Sequence, residues 1–263
     1  PVQCSYIGHP QTSGMPTIDC FLSGDLIEPP NGAEHYTEKL VTLPNIAFHY
    51  EPLSLDTVIV NRQELGLRPQ ATVYWCAQSL FKYLPQYDDV FPRIAREAGD
   101  CQFVFIRHLG HGVTELFQER LERAFAAQGL KASDHCVILD RMSMSRFAAA
   151  SALCDVMLDS IGWSGGNTTL EALAQDLPVV TFEGELMRGR VSAGMLRMMG
   201  MPETIAETVG DYVSLAISIA RDAGWRSELR SRVVRDRERL YRDRTAIAAL
   251  EGFLERAARG TSA

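Results

Sequence analysis

A stretch that ends in Gly165-Gly166-Asn167-Thr168-Thr169 carries the residue types of an anion site. A short apolar run over 155–158 leads into Asp159-Ser160-Ile161-Gly162-Trp163-Ser164, then into the two glycines. After them, apolar residues recur at Leu170, Leu173 and Ala174, the spacing of a helix that opens at Asn167. Glycines let the backbone approach a ligand closely. The first amides of a helix have no partner within it and sit at the positive end of its dipole. Thr168 and Thr169 add hydroxyl donors in the same turn. Such a set suits a phosphate. The plainer reading is that the glycines only make a turn and Asn167 only caps the helix.

The elements around this stretch decide between the two. From about residue 71, short apolar runs alternate with amphipathic stretches. The runs at 72–76, 102–107, 136–139, 155–158, 178–182 and, more weakly, 203–206 read as strands, with helical patterns between them at 86–98, 114–128, 143–153, 167–176 and 189–199. Continuous apolar strands alternating with helices predict an α/β fold whose parallel sheet is covered on both faces. Ligands bind such sheets at the carboxyl ends of the strands. The loops at 77–82, 140–143 and 160–169 all leave at that edge, which brings Lys82 and Thr168 towards one ligand.

The first 60 residues read differently. A strand over 2–7 ends in the polar turn Gly8-His9-Pro10-Gln11-Thr12-Ser13-Gly14, and a second apolar run covers 18–22. A short helix is expected over 33–40, and an irregular connector with Pro44 and Pro52 over 43–55. Beyond Gly210 the chain is helical and charged. Over 226–244, Arg alternates with Asp and Glu at helical spacing, the pattern of a solvated face.

At 263 residues with 46% apolar content the chain buries a proper core, and its net charge of −7 argues against a nucleic-acid partner. No apolar run approaches the roughly 18 residues that span a bilayer. Six dispersed cysteines without a CxxC pair read as reduced thiols rather than disulfides or metal ligands, which points to a cytoplasmic setting. His108 and His111 show no metal pattern. A start without Met, inside a strand-like run, reads as a piece of a longer chain.

Several motifs in order then resemble one family. They are Pro1-Val2-Gln3 with Gly8-His9-Pro10-Gln11-Thr12-Ser13-Gly14; Glu34-His35-Tyr36-Thr37-Glu38-Lys39-Leu40 with Leu43-Pro44; Leu80-Phe81-Lys82; Asp155-Val156-Met157-Leu158-Asp159 with Gly166-Asn167-Thr168-Thr169; and Pro178-Val179-Val180-Thr181 with Gly184-Glu185 and Arg190-Val191. From residue 1 to about 245 the chain resembles the C-terminal catalytic region of the O-linked N-acetylglucosamine transferase family, in its bacterial tetratricopeptide-repeat form. The resemblance implies a two-lobed GT-B glycosyltransferase fold. Residues 1–60 would be the remnant of the N-terminal lobe, 61–212 a Rossmann-like nucleotide-sugar lobe, and 213–263 a helical tail.

The resemblance also implies roles. Lys82 matches the family's essential lysine at the diphosphate, Thr168 and Thr169 its paired threonines at the phosphates, and Glu171 its acid on the ribose. The loop with Arg141 and Met142 lies where the family holds uracil by backbone groups, and Phe147 where the animal enzymes stack a histidine. Ser79 belongs to the loop that carries Lys82. Gly8, His9 and Pro10 match the opposing loop near the diphosphate. Asn167 stands where animal enzymes have histidine, and keeps a hydrogen-bond donor but no titratable proton. No metal or cofactor is implied.

The function implied is transfer of a sugar, first N-acetylglucosamine, from a UDP-sugar to Ser or Thr hydroxyls of proteins, with the acid/base residues and repeats outside this sequence. Alternatives are hexose transfer to asparagine by the same fold, and a non-catalytic scaffold with a vestigial nucleotide pocket.

Overall fold

The computed structural model describes residues 2–260; Pro1, which opens the first motif, lies outside the described residues. Two parallel sheets organise the chain. The first joins β1 (Cys4–Tyr6), β2 (Cys20–Gly24) and β3 (Lys39–Leu43) in that order, with Cys4 opposite Cys20 and Cys20 opposite Lys39.

The second sheet has six strands: β4 (Thr72–Trp75), β5 (Cys101–Ile106), β6 (Cys136–Leu139), β7 (Val156–Leu158), β8 (Val179–Phe182) and β9 (Ile205–Ala206). Their spatial order is β6-β5-β4-β7-β8-β9, all parallel. Each expected strand of this region is present. Helices α1 (Val90–Ala98), α2 (Val113–Ala126), α3 (Ala132–His135), α4 (Met144–Ala152), α5 (Asn167–Ala174) and α6 (Val191–Met199) connect them. Val73, Tyr74 and Trp75 of β4 are wholly buried, as are Phe103, Val104 and Phe105 of β5. Strands covered on both faces need this unbroken apolar run. Tyr83 and Phe117 on Phe105, and Phe91 on Phe103 and Phe105, pack edge to face in the core, with ring centroids 5.0–5.5 Å apart.

The helix expected over 33–40 is instead a single 3-10 turn, Gly32–His35, followed by β3. Tyr36 is already extended, its ring stacked on Phe21 at 4.2 Å and its hydroxyl donating to Glu28 at 2.7 Å. Those tertiary contacts and the ladder to β2 override a weak local helix preference.

The tail forms α7 (Val209–Arg221), α8 (Ala223–Asp236) and α9 (Thr245–Ala258). Its arginines make the solvated face that their alternation predicts only in part: Arg235, Arg239, Arg242 and Arg244 are exposed, while Arg226, Arg230, Arg232 and Arg237 are half-buried. Arg237 donates to the carbonyls of Leu173 and Ala174, at the end of α5. Arg239 and Arg232 donate to those of Met199, the last residue of α6, and of Gly200 just after it, and Arg230 to that of Cys154 after α4. Guanidinium groups thus satisfy carbonyls that helix ends leave open, at the negative end of each dipole. Helix α9 turns back to the first sheet, where Phe253 is buried with Cys20, Leu22, Leu43 and Ala47. Asn45 donates to Asp243 at 2.7 Å, and the Arg242 amide to the Tyr50 carbonyl at 2.9 Å, which fixes that return.

All six cysteines are free; Cys4 is exposed, Cys136 partly covered and the rest buried. Among the described residues no helix is long and apolar enough to cross a membrane, and no group of three His, Cys, Asp and Glu is placed to hold a metal ion.

Candidate functional site

The strand order reverses between β4 and β7: chain order runs outward to β5 and β6 on one side, and to β8 and β9 on the other. A crevice forms at such a switch point, outside the carboxyl ends of the strands. The segments that follow β4 and β7 meet there.

Asp159 follows β7 directly and is buried. Its Oδ1 accepts the amides of Ser160 at 3.0 Å and Gly165 at 2.7 Å, with the Gln78 side-chain amide at 3.4 Å. Its Oδ2 accepts the Thr181 hydroxyl at 2.7 Å. Burial pushes the Asp159 carboxyl above its usual range, against the pull of the Thr181 and Gly165 hydrogen bonds. One carboxylate therefore shapes the whole turn. Gly165 is packed so closely that a Cβ would collide with the Thr169 hydroxyl and the Gln78 amide, whereas a Cβ on Gly166 would meet nothing within 4 Å.

Gly166 precedes α5, and its carbonyl accepts the amides of Thr169 at 3.0 Å and Leu170 at 3.2 Å. The amides of Asn167 and Thr168 come before any acceptor in the helix, at an end that both Asn167 and Thr168 bring to a cavity wall. Asn167 is the first helical residue and makes no side-chain cap, so the plain capping reading does not hold. The two threonines diverge. Thr168 lines a cavity, while Thr169 is wholly buried with its hydroxyl 2.8 Å from that of Ser192.

Lys82 closes the 3-10 turn Leu80–Lys82 after β4. Its Nζ donates to the Ser164 carbonyl at 3.1 Å and lies 5.7 Å from the centre of the Trp163 ring. Burial pulls its ammonium below the ordinary lysine range, and the charge of Asp159 opposes this. A cation held in a partly dry wall gains more from an anion than a surface lysine does.

Two cavities flank the α5 N-terminus. The first, of about 220 Å³, is lined by Ser79, Arg141, Met142, Phe147, Thr168 and Glu171, with others. The Phe147 ring also meets Trp75 edge-on at 5.0 Å. Burial raises the Glu171 carboxyl. The second cavity, of about 570 Å³, is lined by Gly8 and Pro10 from the first sheet's loop and by Lys82, Gly166, Asn167 and Arg188 from the second unit. The sequence-predicted residues thus fall into two groups on either side of one helix end. His9 is exposed and Thr169 faces the core, so both lie outside the two linings.

Asp159, Gln78, Ser192, Trp163 and Arg188 were not singled out from the sequence. An acid at the end of an apolar run, before a glycine-rich turn, was the available signal for Asp159. Nothing local places Ser192 beside Ser164, 28 positions away, where the two hydroxyls meet at 2.9 Å.

Comparison with known proteins gives this crevice relatives. A UDP-N-acetylglucosamine–peptide N-acetylglucosaminyltransferase SPINDLY of Petunia hybrida, designated probable, is 28% identical over 232 residues, which are 88% of this chain and 24% of that protein. The UDP-glucose:protein N-beta-glucosyltransferase of Actinobacillus pleuropneumoniae is 24% identical over 236 residues, 89% of this chain and 37% of that protein. The chain spans about a quarter of the length of the plant relatives it matches. Among solved structures, a mutant of the Thermobaculum terrenum O-GlcNAc transferase matches 99% of this chain and 48% of its own, with a TM-score of 0.81 and 26% identity. A sucrose-phosphate synthase from Thermosynechococcus elongatus, 16% identical, matches 93% of this chain and 59% of its own with a TM-score of 0.61, a likeness of fold alone. The architecture is of the GT-B type. The glycosyl transferase family 41 pattern runs over residues 47–245, through both sides of the crevice and the helix end between them, and the chain belongs to that family.

Proposed function

We propose that this chain is the donor-binding portion of a protein glycosyltransferase that takes N-acetylglucosamine from its UDP conjugate and passes it to Ser or Thr hydroxyls. The observation that carries this reading is Lys82 Nζ, 3.1 Å from the Ser164 carbonyl, in the wall of the larger cavity that Gly166 and Asn167 at the start of α5 also line. The smaller cavity takes the nucleoside: Phe147 offers a ring face to the base, the 141–142 backbone its polar edge, and Glu171 an acceptor for ribose hydroxyls. The larger takes the sugar, under the Gly8–Pro10 loop. As the sugar–oxygen bond breaks, charge grows on the diphosphate, and a preorganised cation and helix amides stabilise it there. The proposal assigns that charge to Lys82 and the helix end rather than to a metal ion or cofactor.

The names of the relatives support UDP-sugars as donors and proteins as acceptors. The free thiols suit a reducing compartment; the reading is of a cytoplasmic enzyme whose acceptors are chosen by tetratricopeptide repeats elsewhere in the protein. The Actinobacillus relative, named for glucose transfer to protein nitrogen, favours a second reading in which a hexose goes to asparagine. Mass spectrometry of a modified acceptor separates the two by the residue that carries the sugar.

The test is calorimetric titration of UDP into the chain and into Lys82→Ala. Saturable binding that weakens at least tenfold in the variant is expected, from the loss of a charge-assisted bond of about 1.5–3 kcal/mol. Equal affinity in both proteins would remove Lys82 from the site. Transfer by the full-length protein, abolished by the same change, then separates an enzyme from a scaffold.

A further inference from the structure

Arg188 sits in the 3-10 turn Met187–Gly189, between β8 and α6. Its carbonyl accepts the Ser164 amide at 2.8 Å, so its backbone is fixed to the residue whose own carbonyl holds Lys82. The guanidinium carbon lies 6.0 Å from the centre of the Trp163 ring, to which Lys82 Nζ is also close, at 5.7 Å. The two charges are therefore under 12 Å apart, within reach of one diphosphate given the length of both side chains.

Among the described residues no carboxylate lies within ion-pair distance of Arg188, while Arg190 and Arg197 nearby are both paired with Glu183. Arg188 is half-buried and lines the larger cavity, whose walls at Ile7, Ile27, Phe48, Met187 and Val191 are apolar. A cation in such a wall without a counter-ion is costly until an anion arrives. Arg188 lines this cavity and a neighbouring one of about 260 Å³ and, like Lys82, does not line the 220 Å³ cavity, so both cations stand on the sugar's side of the helix end.

We propose that Arg188 is a second cation of the diphosphate site and takes the phosphate that bears the sugar, beside the same Trp163 ring as Lys82. The inference rests on the donor-site reading above. A guanidinium suits the task because its planar fork gives two parallel hydrogen bonds to one phosphate. With the sugar gone, that phosphate carries one more negative charge, and the contact strengthens as the bond breaks.

The test compares UDP and UMP, which differ by this phosphate, in titrations of the full chain and of Arg188→Ala and Arg188→Lys. Arg188→Ala should lose roughly 10- to 100-fold in UDP affinity and keep wild-type affinity for UMP, which also reports that the variant is folded. Arg188→Lys should recover part of the loss. An unchanged UDP affinity, or equal losses for both nucleotides, overturns the assignment of Arg188 and leaves the donor site standing. A wild-type chain that binds neither nucleotide overturns both.

Discussion

The Asp159 carboxylate and the Gly165 amide meet at 2.7 Å across the turn that presents α5 to the crevice. The same carboxylate holds Ser160 and Thr181, so a single acid ties the end of β7 to β8 and to the glycine turn. Asp159→Ala strands these donors in a buried place, at about 1–3 kcal/mol each. The expected loss is about 3 kcal/mol or more in urea unfolding, together with loss of UDP binding. Asp159→Asn keeps one acceptor oxygen and should lose less. A loss below about 1 kcal/mol for the alanine variant would mean that the turn holds itself.

The paired glycines should behave oppositely. Gly165→Ala places a methyl against Thr169 and Gln78, an overpacking expected to cost about 1–3 kcal/mol. Gly166→Ala has open space before it and should leave the melting temperature within a degree or two of wild type, about the size of a surface change. Its methyl should still weaken UDP binding, because that space lies on the ligand's side. Comparable thermal shifts in the two variants would contradict the packing described.

The two threonines separate stability from binding. Thr169→Val breaks the buried contact with Ser192 and should reduce unfolding free energy by about 1–3 kcal/mol. Thr168→Val should leave stability unchanged and reduce UDP affinity several-fold. Calorimetry with thermal denaturation of both variants decides it; the reverse pattern would exchange their roles.

Glu38 supplies a pH dependence far from the crevice floor. It is buried and accepts the Ser13 amide at 2.7 Å and the Thr12 hydroxyl at 2.5 Å, which holds the loop beyond Gly8 and Pro10. Burial alone would raise its carboxyl, but hydrogen bonds from Ser13 and Thr12 outweigh that and bring it down to about 2. The folded state thus binds this proton less tightly than the unfolded chain, whose value is near 4.5. The stability it contributes is full above that pH and lost as pH falls towards 2. The advantage of wild type over Glu38→Gln in urea midpoint should shrink across that window. A constant advantage from pH 6 to 2.5 would rule the linkage out.

The strands of the six-stranded sheet were legible because burial on both faces demands unbroken apolar runs, such as Val73–Tyr74–Trp75. The edge where Lys82 and Thr168 meet followed from that rhythm. Strand β3 was not legible, because Tyr36 and Lys39–Leu43 are extended by partners on β2 that no local pattern reveals. The half-buried tail arginines were illegible for a similar reason: alternation of charge looks the same whether the guanidinium meets water, as at Arg235 and Arg242, or the carbonyl of a helix far away in sequence, as at Arg237 and Arg230. Thr169 could not be told from Thr168, since only the position of Ser192 turns one of them inward.

Helix α9 returns to the first sheet after the chain has built the second. The polypeptide therefore passes between the two sheets twice, once between β3 and β4 and again between α8 and α9. A body tethered once can swing in any direction. A body tethered at two separate points turns mainly about the line that joins them. Phe21 and Ile27 also share one core with the second sheet, which opposes even that turn, so the larger cavity, with a wall on each side, is braced by packing as well as by its two tethers.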